Sequence, residues 1–207
     1  MFRKLLTVLF LTASLPSFAD RTYVEMGFEA EVFDDLSFAV SPEWRNDPKK
    51  EEQQFHTDLS FGYEIFKNWE VTGTYRKGKV FYESDDSSEV ERFAFSTSYT
   101  WKIDDFRIQT RLRYTEGTDD DGDEKEYLRY RLKIDYEIDA LDLRPFLAYE
   151  KYDSLEADES RNPNVYSGGI SWKINKQNQL RMEYRWVDKI HSRKDYGVYK
   201  LTYQFDF

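Results

Sequence analysis

The sequence contains no cysteine and only two histidines, and none of its apolar stretches is long enough to cross a bilayer as a helix. The missing cysteine excludes a disulfide framework, thiol catalysis and cysteine-based metal centres, and suits an exported chain that stays unfolded until it inserts. There is no low-complexity tract, no interdomain linker and no sign of a helical domain, which leaves a single domain. A formal net charge of −10 opposes a nucleic-acid partner. Mean hydropathy of −0.81 with 34% charged residues would suit a disordered or very soluble chain, but 18% aromatic content is far too high for disorder. A membrane barrel reconciles the figures, because only alternate strand residues face lipid and the rest can be polar.

What the chain does have is strict period-two alternation. Its last thirteen residues place Gly197, Tyr199, Leu201, Tyr203, Phe205 and Phe207 on one face, with Tyr196, Val198, Lys200, Thr202, Gln204 and Asp206 on the other. Such a strand, ending on an aromatic, predicts the closing strand of a bacterial outer-membrane barrel, and Phe207 is expected to present it to the barrel assembly machinery. Phe93, Phe95, Thr97, Tyr99, Trp101 and Ile103 form another apolar face, opposed by Arg92, Ala94, Ser96, Ser98, Thr100 and Lys102. The following segment repeats the design, with Phe106, Ile108, Thr110, Leu112 and Tyr114 against Arg107, Gln109, Arg111, Arg113 and Thr115. A ten-residue strand rising roughly 3.3 Å per residue and tilted near 45° covers about 23 Å, close to the apolar band of an outer membrane.

The amino terminus points the same way. Arg3 and Lys4 precede an apolar run from Leu5 to Leu11, and Ser17-Phe18-Ala19 offers small residues at alternate positions, so residues 1–19 read as a secretory signal. Cleavage near Ala19 would send the barrel of residues 20–207 through the periplasm to the outer membrane, more acidic for the loss of Arg3 and Lys4.

Eleven alternating segments are predicted, at 22–33, 36–45, 53–66, 69–81, 90–103, 106–116, 126–138, 142–151, 164–174, 179–188 and 195–207. Tight connections at Asp34-Asp35, Lys67-Asn68, Asp104-Asp105, Asp139-Ala140 and Asn175 to Asn178 alternate with longer polar ones, as periplasmic turns alternate with extracellular loops. Trp69, Trp101, Trp172 and Trp186 sit near segment ends and suit interfacial girdles. The expected fold is all-β, an antiparallel transmembrane barrel of ten to twelve strands. An even number is expected of a bacterial barrel, so either 22–33 lies outside the ladder or a short strand is still to be found; an odd barrel with a parallel seam is the third option.

Several fragments carry a family likeness. Trp44-Arg45, Gly62-Tyr63-Glu64-Ile65 before Asn68-Trp69, Thr74-Tyr75-Arg76, Leu143-Arg144-Pro145-Phe146 and Ile170 to Asn175 resemble a widespread bacterial outer-membrane barrel family of unknown function. The same hairpin layout is similar to that of the oligogalacturonate-specific porins, and this resemblance implies a narrow channel for acidic sugar oligomers. Those porins carry an additional N-terminal strand not found here, so strand count and pore width do not carry over.

The non-apolar parity is assigned to the lumen. It places Arg107, Arg111 and Arg113 on one strand, Arg129, Arg131 and Lys133 on the next, and Arg181 and Arg185 further round. Glu64, Glu70, Asp135, Glu137 and Glu183 supply the opposing carboxylates, with Glu25, Glu29 and Glu31 on the first segment. Rows of guanidinium groups can pass an anion along by bidentate contacts, which predicts a passive channel for small anionic solutes or acidic oligosaccharides. The alternative is a non-conducting structural or ligand-binding barrel in which these long side chains brace one another.

No catalytic group, cofactor or metal ligand is assigned. A hydrolase at the lipid boundary would need a His paired with Ser, and His191-Ser192 is adjacent in sequence within a polar loop, where neighbours on a strand would point apart. His56 is expected in the lumen or at its rim. The acidic run Asp119 to Glu124 lacks the spacing of a calcium loop and reads as solvated. With the acidic loops 83–91 and 153–160, it makes membrane lipid and lipopolysaccharide the expected surroundings, through divalent bridging to phosphates.

Overall fold

The computed structural model describes residues 19–33, 35–84, 86–118, 124–155, 162–189 and 195–207. Residues 1–18 of the expected signal segment, the acidic run from Asp119 to Asp123 and the His191-Ser192 pair lie outside the described residues.

Alternation becomes a ladder of eleven strands: β1 (Arg21–Phe33), β2 (Leu36–Asp47), β3 (Glu52–Phe66), β4 (Trp69–Tyr82), β5 (Ser87–Ile103), β6 (Phe106–Thr118), β7 (Glu124–Tyr136), β8 (Leu143–Ser154), β9 (Pro163–Lys173), β10 (Asn178–Lys189) and β11 (Tyr196–Asp206). Consecutive strands pair antiparallel, and β1 pairs with β11 to close the barrel. Each predicted segment is present. β5 begins three residues early because Ser87, Ser88 and Glu89 pair with β4 without showing any hydropathy contrast. The Asp139-Ala140 turn is longer than expected, with a 3-10 turn at Asp139–Leu141 closed by Asp142 in the left-handed region at φ 52°.

The expectation of an even strand count is overturned. Eleven strands of alternating direction leave the first and last running the same way, so the closing pair must be parallel, and β1 and β11 are so paired from Arg21 opposite Val198 to Glu29 opposite Asp206. Segment 22–33 is therefore inside the ladder. Side chains reinforce this seam. The Lys200 ammonium donates to Glu25 at 2.6 Å and to Glu43 on β2 at 2.5 Å. Glu25 and Glu43 lie directly opposite each other, and the cation separates two carboxylates that would otherwise repel. Asp20 and Gly197 exchange two hydrogen bonds at the start of the seam, and the Phe207 amide donates to the Glu29 carbonyl at its end.

The outer face is apolar and strongly aromatic. Phe38 with Phe61, Tyr75 with Phe93, Phe106 with Tyr136, Tyr149 with Tyr166 and Tyr184 with Tyr199 are directly opposed pairs with ring centroids 4.9 to 5.3 Å apart. Such pairs contribute about 0.5 to 1 kcal/mol each beyond area burial. Trp69, Trp101 and Trp172 mark the turn end of this face, and Trp44 and Trp186 lie toward the loop end. Asn68 and Asp104 occupy the left-handed region at φ 71° and 51°, which lets two-residue turns follow the strand twist.

Two outcomes test this arrangement. Leu132 is 42% exposed on the outer face, and Leu132→Arg should cost about 2 to 4 kcal/mol in urea unfolding from lipid vesicles. Lys200→Met leaves Glu25 facing Glu43 and should cost about 3 kcal/mol, read as lowered resistance of the folded band to heat on detergent gels.

Candidate functional site

Interior parity carries the charges. On β6 it presents Arg107, Arg111 and Arg113, and on β7 Asp135, Lys133, Arg131 and Arg129. Register sets Arg107 opposite Asp135, Arg111 opposite Arg131 and Arg113 opposite Arg129. Two like-charged pairs thus stand side by side, an arrangement that repels unless a counter-charge intervenes. Glu150 on β8 supplies one. Its Oε1 accepts from Arg111 Nη2 and Arg129 Nη2, each at 3.0 Å. Arg113 and Arg131 make no hydrogen bond or ion pair with the described residues, and the Arg113 Nε is buried without a partner, as are those of Arg107, Arg111 and Arg129.

Neighbouring carboxylates are already engaged. Asp58 accepts two bonds from Arg76, at 2.6 and 2.8 Å, and Glu183 two from Arg185, at 2.8 and 3.1 Å. Glu43 takes Arg45 at 2.6 Å besides Lys200. Asp135 accepts from Lys133 at 2.6 Å, and Arg181 donates to the Ser171 hydroxyl at 3.1 Å. Carboxylates two positions along the same strand as their cation recur, because i and i+2 share a face.

The acidic set expected along the lumen divides. Asp135 and Glu183 stand among the arginines and pair locally. Glu64 and Glu70 lie opposite each other near the turn end, beside Glu29 and Glu31 on β1. Glu64 accepts the Asn68 amide and Glu70 the Thr72 hydroxyl. Glu137 lies beyond β7, where Arg144 donates to it at 2.5 Å and that hydrogen bond holds its carboxyl below the usual range. The turn end is thus acidic on the β1, β3 and β4 side and mixed around β7 to β10, where Glu137, Asp139, Asp142 and Asp206 stand with Arg144, Lys173 and Lys176. Arg107, Lys133, Arg144 and Arg181 form a basic arc one level further in, with Asp135.

Glu150, Glu43, Asp58, Arg76 and Lys200 were missed as partners. Their parity was readable, but their pairing depends on register across connections whose lengths the sequence leaves open. A second surprise is the loop end of the interior, where an apolar cluster sits among buried charges such as Asp47, Glu52 and Lys125. Val165, Val187 and Val198 are buried there against Tyr23, Tyr152 and Tyr196. Arg129 stacks over Tyr152 at 4.3 Å and Arg21 over Tyr196 at 3.9 Å, so aromatic faces take up cation charge at this level. His56 is fully buried on the inner wall, its Nε2 3.0 Å from Gln54 Oε1 and its ring filling the space left by Gly78.

Three cavities adjoin these walls. One of about 450 Å³ is lined by Arg111, Arg113, Arg129 and Arg131 together with the carboxylates Glu25, Glu43, Asp58, Glu150 and Glu183. A second of about 230 Å³ shares Arg131 and Arg181 with it. The third, about 470 Å³ at the turn end, shares Arg144, Ser171 and Gln179 with the second. The series leads from the middle of the barrel to its turn-end mouth.

The balance of charge makes a stability prediction. Glu150→Gln should destabilise the barrel by about 3 kcal/mol, because Arg111 and Arg129 lose the one carboxylate that pairs with them among the described residues. Arg131→Gln, which removes one side of a like-charged pair, should leave stability unchanged or raise it. Urea unfolding in micelles followed by tryptophan fluorescence compares the two.

Comparison with known proteins adds the following. A family described as "Protein of unknown function (DUF2490)" matches residues 20–196. No curated protein matches the chain. Among solved structures, the NanC porin is 13% identical, with 89% of this chain and 99% of that one covered at a TM-score of 0.56. LpxR from Salmonella typhimurium is 9% identical, with 87% of each chain covered at a TM-score of 0.62. At these identities the likeness is one of fold, that of outer-membrane β-barrels.

Proposed function

The chain belongs to the DUF2490 family of proteins of unknown function, and from its lumen we propose an outer-membrane barrel through which small anionic solutes pass passively. The observation that carries this reading is the surplus of cations along adjoining cavities: of the carboxylates lining the larger one, Glu150 alone bonds any of Arg111, Arg113, Arg129 and Arg131 among the described residues, and Arg113 and Arg131 bond none. Export would follow removal of the segment ending near Ala19, and the aromatic outer face would sit among lipid and lipopolysaccharide.

Passage would be a relay. An anion entering at the turn end would pass Lys173, Lys176 and Arg144, reach Arg107 and Arg181 in the second cavity, then exchange onto Arg131 and Arg113 in the larger one. Guanidinium forks replace the water that the anion sheds, and several equivalent partners prevent any one from holding it too long. The opposing acidic side, Glu29, Glu31, Glu64 and Glu70, repels the anion toward the arginines. Eleven strands lie between eight, where side chains fill the interior, and sixteen, where a wide aqueous channel opens, so the path is narrow.

The braced, non-conducting barrel is favoured by the paired charges Asp58 with Arg76 and Glu183 with Arg185. Planar-bilayer recording separates the two readings. The channel should give discrete steps with chloride preferred over potassium, and replacing Arg111 and Arg131 together by Ser should reduce that preference several-fold. Bilayers that stay silent at high protein load would overturn the channel.

A further inference from the structure

Two sets of like-charged pairs in the middle of this barrel are treated differently. Glu25 and Glu43 are directly opposed, and the chain itself supplies the cation, Lys200, which bonds both. Arg111 with Arg131 and Arg113 with Arg129 are likewise opposed, and the chain supplies one anion for two pairs. Glu150 bonds one guanidinium from each pair, Arg111 and Arg129; although it lies directly opposite Arg131 across β7 and β8, it leaves the other diagonal, Arg113 and Arg131, without a hydrogen bond or ion pair to any described residue. Asp58 and Glu183 stand near enough to attract them, but each gives its two bonds to its own arginine, Arg76 and Arg185.

We propose that Arg113 and Arg131 form a binding site for a small bis-anion, a single molecule with two carboxylate-like groups, which completes the charge balance that Glu150 begins. This rests on the reading of the lumen as an anion path and deepens it, by naming the class of solute that the path holds. Opposed side chains start about 5 Å apart across strands, and positions i and i+2 start about 6.7 Å apart along one. The two free guanidiniums therefore stand on the diagonal of a small rectangle, within reach of one short molecule. A mono-anion would satisfy only one of them. Both border the cavity of about 450 Å³, which has room for a four-carbon dicarboxylate.

The barrel should bind succinate as a single saturable site by titration calorimetry in non-ionic detergent, at least tenfold more tightly than acetate at matched ionic strength. Arg131→Gln should weaken succinate at least tenfold, and Arg113→Gln/Arg131→Gln should abolish the preference over acetate, with β-sheet circular dichroism verifying the fold of each variant. If the double variant does not fold, the single variant decides. Succinate binding no tighter than acetate, or unaffected in Arg131→Gln, would overturn the site. Anion-selective conductance without preferential succinate binding overturns this inference and leaves the channel standing. Tight succinate binding in a barrel that never conducts supports the site and overturns the channel.

Discussion

Within hydrocarbon every backbone amide and carbonyl must find a partner in the protein, and an open sheet edge would leave a whole row without one. That constraint forces β1 onto β11. Because the ladder has eleven strands, closure must be parallel, and a parallel pair is slightly weaker per residue than an antiparallel one. The seam is also where Lys200 reaches across to Glu25 and Glu43, so an interaction between side chains reinforces the place where the backbone ladder is least favourable.

Closure also creates the interior, and with it the problem of what to do with charges that alternate inward from every strand. Most are satisfied by a neighbour two residues away or directly across. Like charges are opposed at Glu64 and Glu70, at Arg76 and Arg92, and twice on the β6–β7 face, where arginine meets arginine in adjacent pairs. That face leaves guanidinium groups unbonded beside the central cavity, while Glu29, Glu31, Glu64 and Glu70 gather at the turn end across the barrel. Toward the loops valine and tyrosine pack among charges that are paired or stacked, such as Arg21 with Asp47 and Tyr196.

Much of the architecture was legible. Period-two alternation located all eleven strands, since each strand must be apolar on one side only, and short polar pairs such as Asp104-Asp105 marked the turns. The interior arginines followed from the same parity. Their partners did not. Glu150 meets Arg111 and Arg129 only because β8 pairs with β7 in a register fixed by the Glu137 to Asp142 connection, which is longer than its sequence suggested. Local contrast also failed at Ser87 to Glu89, where polarity on both faces hid the first pairs of β5.

Sequence by itself determined the strands, their facing and their polarity, because these depend on residues one or two positions apart. Only the tertiary structure decided the parallel seam, the bridging of Glu25 and Glu43 by Lys200, and the unequal sharing of Glu150 among four arginines. These join residues far apart in the chain, and register, which no local pattern encodes, sets which charges meet.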